Sequence, residues 1–255
     1  MKYLIFGDIH SAELTELDNI IQFENPQVVL NTGDVDSIST IHELIDLEKK
    51  CVDQGKEFIK VCGNHEYSIF HNDVNLSSEE LDILGKSSEE LHKELMKDMV
   101  AKNYIEEMLN RTENISGRIF YLDSKKYRER YPTILVHGAL KGNLSSYPNC
   151  PMDIRNIWTR LEHTADYKKN FEAMKEKGLK IMIRGNDHNP AYAYTFQEYK
   201  KFSMTRKMAK HNDSFRLSRS YMHVIEPGSI TQNTCAIIDT DVRGETEPIL
   251  RYIAF

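Results

Sequence analysis

Five short polar blocks punctuate this chain, and each stands where an apolar run stops: Gly7-Asp8-Ile9-His10, Gly33-Asp34, Gly63-Asn64-His65-Glu66, Val136-His137-Gly138 and Gly185-Asn186-Asp187-His188. The runs that precede them, Lys2–Phe6, Val28–Leu30, Phe58–Cys62, Ile134–Val136 and Lys180–Ile183, read as buried strands. Between the first three runs, Leu14, Leu17, Ile20 and Ile21, and then Ile41, Leu44 and Ile45, recur at helical spacing. Strands alternating with helices, with polar residues after each strand, are the pattern of an α/β fold. Such a fold collects ligands beyond the carboxyl ends of its strands.

The rest of the chain is longer than this core requires. Ser77-Ser78-Glu79-Glu80 and Ser87-Ser88-Glu89-Glu90 have the form of capping boxes, and the second predicts a helix with Leu91, Leu95, Met99, Ile105 and Leu109 available for one face. Another helical stretch, about 143–177, carries Trp158. Residues 190–222 are polar and aromatic, with Lys200, Lys201, Arg206, Lys207, Lys210, Arg216 and Arg219 among few acids. Three further strand-like runs, His223–Ile225, Thr234–Ile238 and Pro248–Ala254, close the chain, the last two as a hairpin around Arg243-Gly244. The organisation expected is one domain over residues 1–255, with insertions at about 67–130, 143–178 and 191–222.

Composition narrows the function classes. A chain of 255 residues with 40% hydrophobic residues can bury a core, and a net charge of −6 argues against coating nucleic acid through bulk charge. A local basic site stays open. The first residues, Met1–Phe6, do not read as a signal peptide, and no apolar run approaches the length of a membrane span. Cys51, Cys62, Cys150 and Cys235 lie far apart without CxxC spacing, which suits buried thiols in a reducing compartment. The expectation is a cytoplasmic protein without disulfides.

Asp, Asn and His at strand ends are the ligand types of divalent cations. One such block means little, because Asp and His also serve turns and caps. Five in series make chance a poor explanation. With these residues in this order the chain resembles the calcineurin-like metallophosphoesterase superfamily, whose pattern runs D-x-H, G-D, G-N-H-[ED], a later His-Gly, and G-H-x-H. The resemblance spans Asp8 to Ser229. Glu226-Pro227-Gly228-Ser229 is similar to the N-P-G-S turn of the small bacterial and archaeal phosphodiesterase branch, whereas Gly63-Asn64-His65-Glu66 has the form of the Ser/Thr phosphatase branch.

The resemblance implies an α/β fold, a four-layer α/β/β/α sandwich with inserted helical segments and a dinuclear site at one end. By motif position it implies a first metal on Asp8, His10 and His188, a shared carboxylate from Asp34, and a second metal on Asn64, His137 and the Asn186 position. His65 would stand at the substrate as general acid, oriented by Glu66 or Asp36. Two close metals lower the pKa of a bridging water, and the resulting hydroxide attacks a phosphomonoester or phosphodiester in line.

Two departures bear on this reading. Asn186 occupies the place of the first His of G-H-x-H, so the second site gains an amide oxygen and hardens toward Mn²⁺. Mg²⁺, Fe, Ni²⁺ and Zn²⁺ stay open as the pair of divalent ions. Asp187 turned inward, or an empty second site, are the alternatives to this weakened coordination. The arginine that follows G-D in the Ser/Thr phosphatases is missing from Val35-Asp36-Ser37-Ile38, and Arg184, Arg155 or Arg160 could replace it, although a surface salt bridge is the simpler role for each.

The partner expected is a small, nucleotide-like phosphate ester, with no membrane; nucleic acid and a second copy of the chain are left open. The rival readings are a binding or scaffold protein on the same fold with a degraded metal site, and a nuclease that uses the basic segment around Phe202, Phe215 and Tyr221.

Overall fold

The computed structural model describes residues 1–72, 88–111, 117–124, 129–142, 155–198 and 201–255. The amino-terminal half lays down β1 (Lys2–Phe6), α1 (Thr15–Glu24), β2 (Val28–Asn31), α2 (Ile38–Asp53), β3 (Glu57–Lys60) and α3 (Asn64–His71). The three strands are parallel neighbours, and β1 pairs on its other side with β11 (Thr234–Asp239) in antiparallel register. With β12 (Ile249–Ala254) and β9 (Ser214–Arg216) they form a sheet of order β3-β2-β1-β11-β12-β9.

The second sheet has the order β4-β5-β6-β10-β7-β8. Its strands are β4 (Arg118–Ser124), β5 (Glu129–Val136), β6 (Ile181–Arg184), β7 (Ala191–Glu198), β8 (Lys201–Met208) and β10 (Met222–Glu226). The basic and aromatic stretch 190–222 thus supplies strands to both sheets: β7 and β8 to one, β9 to the other.

Side-chain alternation sorts these strands into layers. Tyr3 and Ile5 of β1 face Leu135, Ile181, Ile183 and Ile225 of the second sheet, so the sheets pack face to face. Leu4 and Phe6, the alternate residues of β1, face outward onto α1, α2 and two further helices, α4 (Ser88–Lys97) and α5 (Met99–Arg111). On the far side, Ile134, Val136, Met182 and Val224 receive Tyr167, Phe171 and Met174 of α7 (Thr164–Glu176). The four layers α/β/β/α follow. A short helix, α6 (Arg155–Trp158), precedes α7.

The single helix expected after Ser88 is two. Asp98 ends α4 and caps α5, its Oδ1 accepting from the backbone N–H of Val100 at 3.1 Å and of Ala101 at 3.0 Å. A carboxylate that satisfies orphan N–H groups starts a new helix instead of continuing the old one. The capping box at Ser77 lies outside the described residues, as does Cys150. Cys51, Cys62 and Cys235 are buried free thiols. Among the described residues no helix is long and apolar enough to cross a membrane.

Candidate metal centre

The five polar blocks are the loops at one end of the sandwich, each leaving the carboxyl end of β1, β2, β3, β5 or β6. Their backbone is unusual. Asp8, His10, Asp34, Asn186 and His188 all hold φ between +47° and +71°. Left-handed backbone costs a non-glycine residue of order 1–3 kcal/mol and persists where surroundings over-determine it, which is a mark of functional loops. The over-determination is visible in the bonds between loops. Asp8 N–H donates to the Gly33 carbonyl at 2.8 Å, and Ile9 and His10 N–H both donate to the Asp34 carbonyl at 2.9 and 2.8 Å. Both Asp8 carboxylate oxygens accept from the Asn186 N–H, at 2.9 and 3.1 Å. The Ser229 hydroxyl, from the Glu226-Pro227-Gly228-Ser229 turn, donates to the Asp8 carbonyl at 2.7 Å.

Close approach explains the glycine of the third block. A Cβ on Gly63 would lie 2.2 Å from the Asp34 carboxylate. Glu66, which opens α3, accepts from the N–H of Gly63 and of Asp34, each at 3.0 Å, and so ties the second and third loops together. It therefore clamps backbone and does not orient His65.

The histidine orientations form a consistent set. His137 sets Nδ1 against the Thr32 carbonyl at 2.8 Å, which leaves Nε2 facing Asn64 Oδ1 at 2.8 Å and Asp34 Oδ2 at 3.2 Å. His10 sets Nδ1 against Asp36 Oδ2 at 2.7 Å, and its Nε2 meets His188 Nε2 at 3.3 Å. The same Asp36 oxygen lies 3.3 Å from Nδ1 of His65, whose Nε2 is 3.9 Å from Asp34 Oδ2. Asp36 thus hydrogen-bonds the imidazole of His10 and stands within ion-pair distance of that of His65. His188 Nε2 stands 3.7 Å from Asp8 Oδ1. All eight residues singled out from the sequence, Asp8, His10, Asp34, Asn64, His65, His137, Asn186 and His188, converge on one place.

Charge is concentrated there. Burial pushes the Asp8 carboxyl up to about 6. Burial would raise Asp34 too, but the imidazoles of His137 and His65 hold it well below the usual carboxylate range. Burial depresses His137, yet the Asp34 carboxylate beside it wins and lifts the imidazole to about 9. His188, partly buried and facing the charge of His10, falls to about 4. Burial and the Asp34 charge raise Glu66 to about 7. Asp34 with His10 and His188, and Asp34 with Asp8 and His137, have donor atoms within 4.8 Å of one another. Outward-turned Nδ1 atoms, inward-turned Nε2 atoms and a shared carboxylate are a donor set that fits divalent cations.

Above these groups opens a cavity of about 480 Å³, lined among others by Ser11, Ala12, Asp36, His65, Arg160 and Thr231. Arg160 comes from a strap, residues 156–161, that is fastened to two of the loops, those after β5 and β6. Ala139 N–H donates to the Asn156 carbonyl at 2.8 Å, Asn186 Nδ2 lies 3.5 Å from the Ile157 carbonyl, and Leu161 N–H points at Asp187 Oδ2 at 3.4 Å. A Cβ on Gly138 would lie 2.1 Å from the Asn156 carbonyl, so the strap needs that glycine.

Two expectations are corrected. Asp187 turns away from the centre and pairs with Arg184. Arg184 is neither an anion clamp nor part of a surface salt bridge. It is fully buried, donating to the carbonyls of Gly138 and Thr159 and to Glu226 Oε1 at 2.8 Å. Glu226 also accepts from the Tyr167 hydroxyl at 2.7 Å and lies 3.3 Å from Arg206. Arg160 was among the candidate anion clamps, whereas the fastening of its strap and the place of Thr231 had no signal in the sequence, because neither carries a motif. The Ser229 hydroxyl was hinted at by its turn.

Comparisons with known proteins agree with this fold. Residues 1–198 match the family model of the calcineurin-like phosphoesterases. No curated protein matches the sequence. Among solved structures, a metallophosphoesterase from Sphaerobacter thermophilus is similar at 16% identity and a TM-score of 0.58, covering 100% of this chain and 88% of that one. A cold-active protein-tyrosine phosphatase of a psychrophilic Shewanella sp. is similar at 11% identity and a TM-score of 0.50, covering 94% of this chain and 76% of that one. At these identities the likeness is one of fold.

Proposed function

This chain belongs to the calcineurin-like phosphoesterase family, and from that premise we propose that it is a metal-dependent phosphoesterase acting on a phosphomonoester or phosphodiester of a small, nucleotide-like molecule. The observation that carries the reading is the convergence of carboxylate, amide and imidazole donors beneath a cavity whose lining includes one arginine, Arg160.

Asp8, His10 and His188 would hold one ion, Asn64, His137 and the Asn186 amide the other, with Asp34 shared between them. Divalent cations bound there supply Lewis acidity and a water of lowered pKa. The protein's own groups do the rest. The Asp36 carboxylate stands 3.3 Å from Nδ1 of His65 and favours a charged imidazole, whose Nε2 would carry a proton toward the leaving oxygen. Arg160 offers a guanidinium fork to the non-bridging phosphate oxygens. The left-handed loops hold these groups in place before substrate arrives, so little reorganisation is left for the reaction. Two amide oxygens, from Asn64 and Asn186, make one site harder than an all-imidazole site and favour Mn²⁺ over Zn²⁺.

The test is hydrolysis of a chromogenic phosphodiester and its monoester analogue by metal-stripped protein resupplied with Mn²⁺, Mg²⁺ or Zn²⁺. Metal-dependent turnover, lowered on the order of 10³-fold by Asp34→Ala, is the expected result. The preferred ester assigns the substrate type, and a gain from Asn186→His shows that the amide weakens the second site. No turnover with any of the metals, in a protein that binds a single ion, overturns the proposal in favour of a scaffold.

A further inference from the structure

The two sheets do not close against each other all the way round. Where the edge strand β8 of one sheet faces the short edge strand β9 of the other, a cleft of about 540 Å³ opens between them. Its wall is aromatic: Tyr192 and Tyr194 from β7, Phe215 from β9, and Tyr221 from the loop before β10. Tyr192 stacks on Tyr194 at 5.5 Å between centroids and Tyr194 on Tyr221 at 5.6 Å, while Phe215 lies 4.7 Å from Tyr192 at a tilt of 31°. Tyr194, Phe215 and Tyr221 keep part of their surface open to solvent.

The rim is cationic. Lys207 is exposed, with Nζ 5.6 Å from the Phe215 ring, and pairs with no carboxylate among the described residues. Arg216 is exposed and bonds Glu245 at 3.0 Å, a surface pair that another anion can replace. Both cations belong to a basic stretch on a protein of net charge −6. The cleft is distinct from the metal centre. Tyr194 pairs with His223 at the start of β10, whereas Ala191 pairs with Glu226 at its end beside the motif loops. That separation is about 10 Å along the strand at 3.3 Å per residue.

We propose that this cleft is a second binding site, which takes a nucleotide: a nucleobase on the face formed by Tyr194, Tyr221 and Phe215, with its phosphate on Lys207 and Arg216. Stacked phenol and phenyl rings are a sequence-tolerant platform for bases, and a rim of Lys and Arg attracts the anion that a base carries with it. The volume falls in the range of pockets that hold molecules of this size. The nucleotide arrives free or as one unit of a single strand. The site stands whether or not the metal centre hydrolyses phosphate esters.

Saturation-transfer NMR titrations on the full chain, stripped of metal with EDTA, test it. AMP is expected to saturate, with the strongest transfer on its base protons, and to bind about tenfold more tightly than ribose 5-phosphate. Lys207→Gln, at an exposed position, weakens AMP binding about threefold or more, and Tyr194→Ser weakens it about tenfold. Arg160→Gln, at the metal cavity, leaves the affinity unchanged. A six-nucleotide adenylate strand that binds at least about ten times more tightly than AMP assigns the source to a single strand, and equal affinity assigns it to the free nucleotide. Ribose 5-phosphate binding as tightly as AMP, no saturation, or no response to Lys207→Gln overturns the proposal.

Discussion

The loop end of the sandwich and its open β8–β9 edge use opposite devices to present chemistry. At the loop end, left-handed backbone and buried hydrogen bonds between loops hold polar donors fixed, and nearly every group is hidden from solvent. At the edge, the plain alternation of strand residues places Tyr192 and Tyr194 on one face, and ring stacking supplies the rest. The first arrangement is built for ions and reacting atoms, which need geometry. The second suits a flat ligand, which needs area. Polar pre-organisation is costly, so it depends on supports behind it; an aromatic wall is self-supporting, because its packing is itself favourable.

That contrast can be broken first from behind the metal centre. Arg184→Met leaves the buried Glu226 with Arg206 alone and the part-buried Asp187 without its cation, and removing one partner of a buried pair costs about 3–5 kcal/mol. Urea unfolding is expected to register that loss together with weaker metal binding, since Asp187 sits between Asn186 and His188. Unchanged stability would mean the network does not carry the loops.

The edge is expected to fail differently, through pH. Burial depresses His223 from its usual 6.5 to about 4, and its ring is held by the Tyr192 hydroxyl and the Ser218 carbonyl, each at 2.8 Å. The unfolded chain then binds a proton that the folded one refuses. The stabilisation is complete above pH 6.5 and is lost as pH falls toward 4, by about 1.4 kcal/mol per pH unit at most. His223→Gln should flatten that part of the stability profile by the corresponding amount. A profile identical to the parent's would show that His223 is not buried neutral.

The smallest expected effect sharpens the comparison. Asp36 contacts both His10 and His65 and so acts on metal affinity and proton transfer through them. Asp36→Asn should lower metal affinity about 10–100-fold, as groups that orient ligands do. Competition with a chromophoric chelator reads the affinity, and AMP binding at the cleft should not move. Equal metal affinity in the two proteins would assign Asp36 to folding alone.

Much of the loop end was legible before any coordinates. Apolar runs that stop at Asp8, Asp34, Asn64, His137 and Asn186 name the strands and the candidate donors that gather beyond them, because a strand's end fixes where the next side chain can point. The hairpin of β11 and β12 was legible for the same local reason. Arg184 was misread because a lone charged residue at a strand end usually faces water, and nothing nearby in sequence announces Glu226 as its partner, 42 residues on. The helix break at Asp98 was hidden by an apolar stripe that continues across it.

The sequence by itself determined the α/β class, which follows from short-range patterns of period and residue type, while the resemblance of its motifs implied the four-layer sandwich and the candidate donors. Only the tertiary structure decided which nitrogen of each histidine faces inward, that Asp187 faces outward, that residues 156–161 bring Arg160 to the cavity, and that β7, β8 and β9 leave a cleft between two sheets. Those outcomes depend on contacts between residues far apart in the chain, where burial and hydrogen-bond satisfaction choose among orientations that local sequence leaves equal.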